Sequence, residues 1–229
     1  MKKITLISLP LTLLLLGYTS YLALEVAPTE QTMGDVQRIF YYHVPSGWVA
    51  FLCFFINFAA SAVYLWKRSP ASDALAGASA EVGVVFCTVL LITGPLWARP
   101  VWGIWWTWDA RLTTTLVLWL IYVSYLVLRR FAAGGQTQVL AAAFGIFGFI
   151  DVPIVYFSIR WFRTQHPSPV MGGGENSGLA PAMLHVFLTN LAVFTLMGLL
   201  FVSLRYKLQM EEQALEAAHA QAALKGATL

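Results

Sequence analysis

Charged side chains are scarce in this chain. Lysine and arginine number 14 and aspartate and glutamate 11 among 229 residues, a charged share of 11%, about half the roughly 25% of an average soluble domain. That excludes a chain kept disordered by its charge and a basic nucleic-acid-binding domain, and it argues against an ordinary cytosolic enzyme. Cysteine is nearly missing. Cys53 and Cys87 lie in separate apolar stretches, with no CxxC pair and no CxxCH segment. A thiol redox role and a c-type cytochrome are therefore set aside, and both residues read as buried free thiols. Histidine occurs only four times and the net charge is just +3.

Apolar residues fill the space that charge leaves. They make up 59% of the chain, and the mean hydropathy is +0.69. A membrane helix needs about 20 mostly apolar residues. Six runs qualify: 4–26, 46–66, 76–97, 113–128, 139–157 and 179–204. The first follows Lys2 and Lys3, as a signal peptide would. It is longer than the usual h-region of about 7–15 residues and ends without a small-x-small site, so it reads as an uncleaved first helix. The expected fold is all-α: one polytopic membrane bundle of six transmembrane helices over residues 1–207, followed by a cytoplasmic tail over 208–229.

The charges that remain are sorted by side. Lys2, Lys3, Lys67, Arg68, Arg129, Arg130, Arg205 and Lys207 cluster at one set of helix ends, against Arg38, Arg99, Arg111, Arg160 and Arg163 at the other. By the positive-inside rule both termini are cytoplasmic. Three loops then face outward, around 27–45, 98–112 and 158–178, and they hold nearly all the unusual residues.

The middle outward loop, between the third and fourth helices, is rich in tryptophan. Trp97, Trp102, Trp105, Trp106 and Trp108 fall within 12 positions, out of nine Trp in the chain. One reading is an interfacial aromatic belt, but a belt needs only one or two Trp per helix end. The other is an indole platform for a flat apolar ligand. If the segment forms a short helix, Trp102, Trp105 and Trp106 share one face at i, i+3, i+4 spacing. Asp109 then either belongs to the platform or caps the fourth helix through backbone N–H groups near Leu112.

Two histidines are expected at the same depth. His43 precedes Pro45, a residue suited to a first helical turn, at the outer mouth of the second helix. His185 lies in the first turns of the sixth. Imidazole is a standard axial ligand of haem iron. A porphyrin between His43 and His185, with its face on indoles, accounts for both histidines and the tryptophans together. Arg99 and Arg111 are then available for its propionates. His166, followed by Pro167 in a polar loop, reads as solvated, and His219 lies in the tail.

The run from Trp102 to Thr113, with its Trp-Trp-Thr-Trp-Asp-Ala-Arg-Leu-Thr core, resembles the tryptophan-rich WWD signature of haem-handling proteins. The six-span size, with His43 before the second helix and His185 opening the sixth, is similar to the CcmC branch of that family. The resemblance covers the chain to about Lys207. It implies a protein of c-type cytochrome biogenesis in the bacterial inner membrane, with non-covalent haem b at the periplasmic face. It also implies delivery of that haem to the membrane-tethered chaperone CcmE, beside the ABC transporter subunits CcmA and CcmB and the small subunit CcmD. His43 and His185 become the axial ligands, and the stretch from Trp102 to Asp109 the haem and chaperone platform. No nucleophile or general base is evident, so the chain is expected to be a binding and delivery module rather than an enzyme, with membrane lipid and no nucleic acid among its partners.

Ionisable groups inside spans are functional candidates by default. Asp151, in the fifth run, either accepts an N–H from a ligand histidine or a water beside the haem pocket, or fixes helix packing. Glu81 in the third run reads as a packing or interface residue. Gly172 to Gly174 have the composition of a flexible linker. Two other functions compete. A bis-His cytochrome b buries its histidines in span interiors and gives the Trp loop no purpose. A small-molecule transporter predicts internal repeats and broken helices near the midplane, and no convincing repeat is present.

Overall fold

The computed structural model describes residues 2–132, 136–167 and 178–226. These residues are almost wholly helical, with no strand among them. The helices are α1 (Lys2–Tyr21), α2 (Phe40–Lys67), α3 (Pro70–Trp102), α4 (Ala110–Phe131), α5 (Thr137–Phe149), α6 (Asp151–Trp161) and α7 (Pro181–Gly226). A single wide turn, Leu22–Val26, extends α1, and a tight turn, Asp35–Ile39, leads into α2. Helices α5 and α6 form one span with a break between them. Pro153 explains the break: it has no N–H for the Phe149 carbonyl, and its ring crowds the preceding turn. Six segments are long and apolar enough to cross a membrane: Ile7–Val26, Asp35–Lys67, Pro70–Trp102, Ala110–Phe131, Thr137–Trp161 and Pro181–Ala223. The chain is an all-α, multi-pass membrane protein.

Helix α2 is central. It packs most extensively on α3, and also on α5 and α7, while α4 lies against α3, α5 and α6. Between lipid-facing helices the attraction is van der Waals contact and hydrogen bonding, so close approach matters. Small residues permit that approach. A methyl group at Gly83 of α3 would lie 2.5 Å from a ring carbon of Phe54, and one at Gly198 of α7 would lie 2.5 Å from Val49. Phe54 in turn stacks on Tyr122 at 3.8 Å and 12°. Indole N–H groups tie helices laterally, Trp48 to Thr195 at 3.1 Å and Trp119 to Thr88 at 2.8 Å.

Each end of the bundle is held differently. At the end carrying Lys67, Arg68, Arg129 and Arg130, Asp73 of α3 receives both Nη atoms of Arg129, at 2.5 and 2.9 Å, and Gln213 at 2.9 Å. Glu81 is held by Arg205 and by Gln209 at 2.8 Å. Its packing partners are thus residues of its own chain. Helix α7 passes position 207 without interruption, and its 46 residues span about 69 Å at 1.5 Å per residue. That is more than twice a bilayer core of about 30 Å. At the opposite end, the Trp-loop end, a second apolar cluster joins Leu22, Ala23, Ala27, Phe40, Tyr41, Val186 and Phe187. Phe40 is its hub, with ring centroids 5.0 Å from Phe187 and 6.2 Å from Trp97.

Candidate functional site

His43 lies one turn after Phe40 and is buried, with 8% of its surface exposed. Its Nδ1 is 2.8 Å from Thr93 Oγ1 of α3, and its ring meets the Trp97 ring edge-on at 5.8 Å. A Cβ on Gly94 would touch His43 Cε1 at 3.5 Å, so α3 passes close beside the imidazole. His43 Nε2 bonds to none of the described residues. The ring is held by α3 through Thr93 and Trp97.

His185 sits at the same end, two residues before Phe187. That spacing turns it about 200° away from Phe187 at 100° per residue. Met183, Val186, Phe187 and Asn190 are buried, while His185 is exposed on the other side of α7. The two histidines are linked through the Phe40–Phe187 contact, with no ring contact or hydrogen bond between them.

The Trp-rich segment is not the short helix that i, i+3, i+4 spacing envisaged. Residues 103–109 are irregular. Gly103 ends α3 in the left-handed region (φ 79°) and donates its N–H to Arg99 O at 3.0 Å, a conformation that glycine adopts without a Cβ clash. Asp109 is already extended and starts α4. Five residues between these two stops leave no room for a helix. Trp97 and Trp102 therefore ride on α3, whereas Trp105, Trp106 and Trp108 project from a loop. Trp105 and Trp108 are 56% and 75% exposed. Trp106 lies edge-to-face with Trp108 at 5.7 Å, and its Nε1 is buried without a hydrogen-bond partner.

Asp109 caps α4: its Oδ1 accepts from Leu112 N at 3.0 Å. Its Oδ2 accepts from Thr164 Oγ1 at 2.8 Å, which fastens the segment after α6 to the Trp loop. Arg111 Nη1 donates to Val155 O at 2.6 Å, and Arg99 Nη1 donates to Gly103 O. Both arginines offered for propionates are engaged on main-chain carbonyls.

The fold-back through Thr164 also carries in His166, which sequence reasoning missed. His166 is half-buried rather than solvated. Its main-chain N–H donates to Thr164 Oγ1 at 3.0 Å, and its Nδ1 lies 2.9 Å from Pro167 O. It stands within electrostatic reach of Arg111, Asp109 and His43. Burial first, and the Arg111 cation second, hold the imidazole below its ordinary pKa. A His-Pro step in a polar loop gives no local hint of this, because the tether is a contact 55 residues away in the chain.

Asp151 is buried where α5 gives way to α6, with Oδ2 lacking a hydrogen-bond partner. No hydrogen bond joins it to His43, whose Nδ1 is paired with Thr93 Oγ1 instead. Gly172 to Gly174 lie outside the described residues.

Fold and site together define a polytopic helical membrane protein whose unusual chemistry sits at one end of the bundle. Comparison with known proteins places it further. The model of the family Heme exporter protein C matches residues 1–221. A Heme exporter protein C of Bradyrhizobium diazoefficiens is 37% identical over 195 residues, 84% of this chain and 72% of that protein. One from Haemophilus influenzae is 32% identical over 204 residues, 87% of this chain and 82% of the relative. A ccmC-like mitochondrial protein of cytochrome c biosynthesis from Marchantia polymorpha is 33% identical over 183 residues, 80% and 78%. The chain belongs to the haem exporter protein C family, which handles haem in cytochrome c biogenesis. The family match runs past Lys207, into the part of α7 where Gln209 and Gln213 hold Glu81 and Asp73.

Proposed function

We propose that this protein holds haem at the Trp-loop end of its bundle and hands it to the chaperone CcmE, without itself making or breaking a covalent bond. The haem is cargo, haem b bound non-covalently, with His43 and His185 as axial ligands and the exposed Trp105 and Trp108 as the surface that meets porphyrin and chaperone. The Trp-loop end faces the periplasm and both termini face the cytoplasm, across the bacterial inner membrane. CcmA, CcmB and CcmD complete the assembly.

One observation carries this reading: a buried imidazole, His43, with one nitrogen tied to Thr93 and the other bonded to none of the described residues, at the bundle end that carries a loop of exposed indoles. Among the described residues no group of three or more His, Cys, Asp or Glu could hold a bare metal ion. A donor set of single imidazoles suits an iron whose remaining ligands come from a porphyrin. The basic residues at the opposite end support the orientation.

A second reading of the ligand opposite His43 is His166. His185 faces away from the core, while His166 is brought towards His43, and its Nδ1–H is directed to the Pro167 carbonyl. Single substitutions separate the two. The full-length protein, purified with and without the chaperone, should carry haem with a six-coordinate spectrum. His43→Ala and His185→Ala should each alter that spectrum and lower occupancy, and His166→Ala should leave both unchanged. An altered spectrum in His166→Ala together with a normal one in His185→Ala would move the second ligand to His166. Unchanged haem binding in His43→Ala and His185→Ala alike would reject the axial pair.

A further inference from the structure

Thr93 lies among three polar atoms, the most distant being Leu90 O at 3.3 Å. Its Oγ1 is 2.7 Å from the Val89 carbonyl and 2.8 Å from His43 Nδ1. A hydroxyl has one proton to give. If it went to Nδ1, two lone-pair-bearing oxygens, Thr93 Oγ1 and Val89 O, would face each other at 2.7 Å with no proton between them. If it goes to Val89 O, both short contacts are satisfied: Thr93 donates to the carbonyl and accepts from His43 Nδ1–H. The backbone of α3 thereby assigns the tautomer of a side chain on α2. His43 then carries its proton on Nδ1 and a lone pair on Nε2.

A metal-binding histidine is oriented by what its other ring nitrogen donates to, and that partner also raises its strength as a ligand. From the position of Thr93 we infer that it is the positioning residue of the haem site, presetting His43 with Nε2 open to iron before haem arrives. This rests on His43 being an axial ligand. Asp151, the carboxylate that otherwise suits the role, is at the α5–α6 break and makes no such bond. The surroundings agree. Trp97 meets the ring in a T-shaped contact, and a Cβ at Gly94 would sit in ordinary contact with Cε1 at 3.5 Å, so α3 runs close beside the imidazole. The imidazole is thus held by one helix at two points a turn apart, Thr93 and Trp97, and a small change at Thr93 is felt at Nε2.

The test uses the full-length protein and three variants of one residue. Thr93→Val keeps the shape and removes the acceptor, Thr93→Ala does so without the branch, and Thr93→Ser keeps the hydroxyl. Nitrogen-15 spectra of the haem-free protein should show His43 protonated on Nδ1 in wild type and Thr93→Ser. In Thr93→Val and Thr93→Ala the two tautomers should mix. In the haem-loaded protein, losing the acceptor weakens the imidazole as a donor. Haem affinity should fall about 10-fold or more, and the iron reduction potential should rise, because the oxidised iron loses the stronger ligand. Thr93→Ser should restore both values.

Thr93→Val and Thr93→Ala with wild-type tautomer, affinity and potential would overturn the inference. If His43→Ala still abolished the axial signature in that case, the ligand assignment would survive without Thr93. If His43→Ala left the spectrum untouched, the ligand assignment itself would fall, and this inference with it.

Discussion

Asp109 shows how much of the site rests on single polar atoms. One carboxylate oxygen caps α4 and the other holds Thr164, so the Trp loop and the segment after α6 share an anchor. Asp109→Ala is expected to cost about 1 kcal/mol from the lost cap alone and to release the 162–167 segment. Asp109→Asn should keep most of the cap, and melting in detergent should rank the variants accordingly. His166 adds a pH dependence to the same corner. Its folded pKa lies below the ordinary value of 6.5, so the unfolded chain binds the proton more readily. Stability contributed by the neutral ring is present above pH 6.5 and lost as pH falls through that value and below it. The haem-free protein should therefore weaken on acidification, and His166→Gln should flatten that slope. An equal slope in the variant would assign the effect elsewhere. At this scale the sequence was informative where a residue acts locally. The cap at Asp109 follows from its position before Leu112, whereas Pro45 pointed to a later start for α2 than the structure has: the helix begins at Phe40, so His43 lies inside its first turn and Pro45 beyond it. It was silent where the partner is remote: nothing beside Thr93 or His166 in the chain announces His43 or Asp109.

The helices were legible because lipid-facing segments must be long and apolar, and six such runs stand out. Their ends were harder to place. Helix α3 runs on through Pro95 and Pro100 to Trp102, because only Gly103 supplies the left-handed residue that stops it. The Trp segment then has too few residues to coil again. Polar groups inside the elements are read better from their partners than from their depth. Asp73 and Arg129 form a mostly buried bidentate pair. Arg129→Ala should destabilise the protein by about 3–5 kcal/mol, because it strands a buried carboxylate. Asp73→Asn combined with Arg129→Met should recover a large part of that loss in the same melting assay. Gly83 marks a close contact of α2 and α3. A Cβ there would sit 2.5 Å from Phe54, whose ring is held by Tyr122. Gly83→Val should cost about 1–3 kcal/mol from overpacking, and a melting temperature equal to wild type would refute that packing account.

Across the whole molecule, the scarcity of charge and the excess of tryptophan describe two ends of one bundle. The basic end is built from ion pairs and amides that α7 brings back to α3. The other end gathers His43, Thr93, the Trp loop, Asp109 and His166 from four separate stretches of chain. Six spans and a tryptophan-rich loop were enough for the sequence to indicate the class. The arrangement of His43 against Thr93, and of His185 on the outer side of α7, needed three dimensions. The proposed function turns on haem sitting at the Trp-loop end with its iron on histidine. A structure of the protein with haem bound tests this most directly. The expected result is haem against Trp105 and Trp108, with iron bonded to Nε2 of His43 and to His185. Haem at any other place in the bundle, or at this place with His43 off the iron, would contradict it.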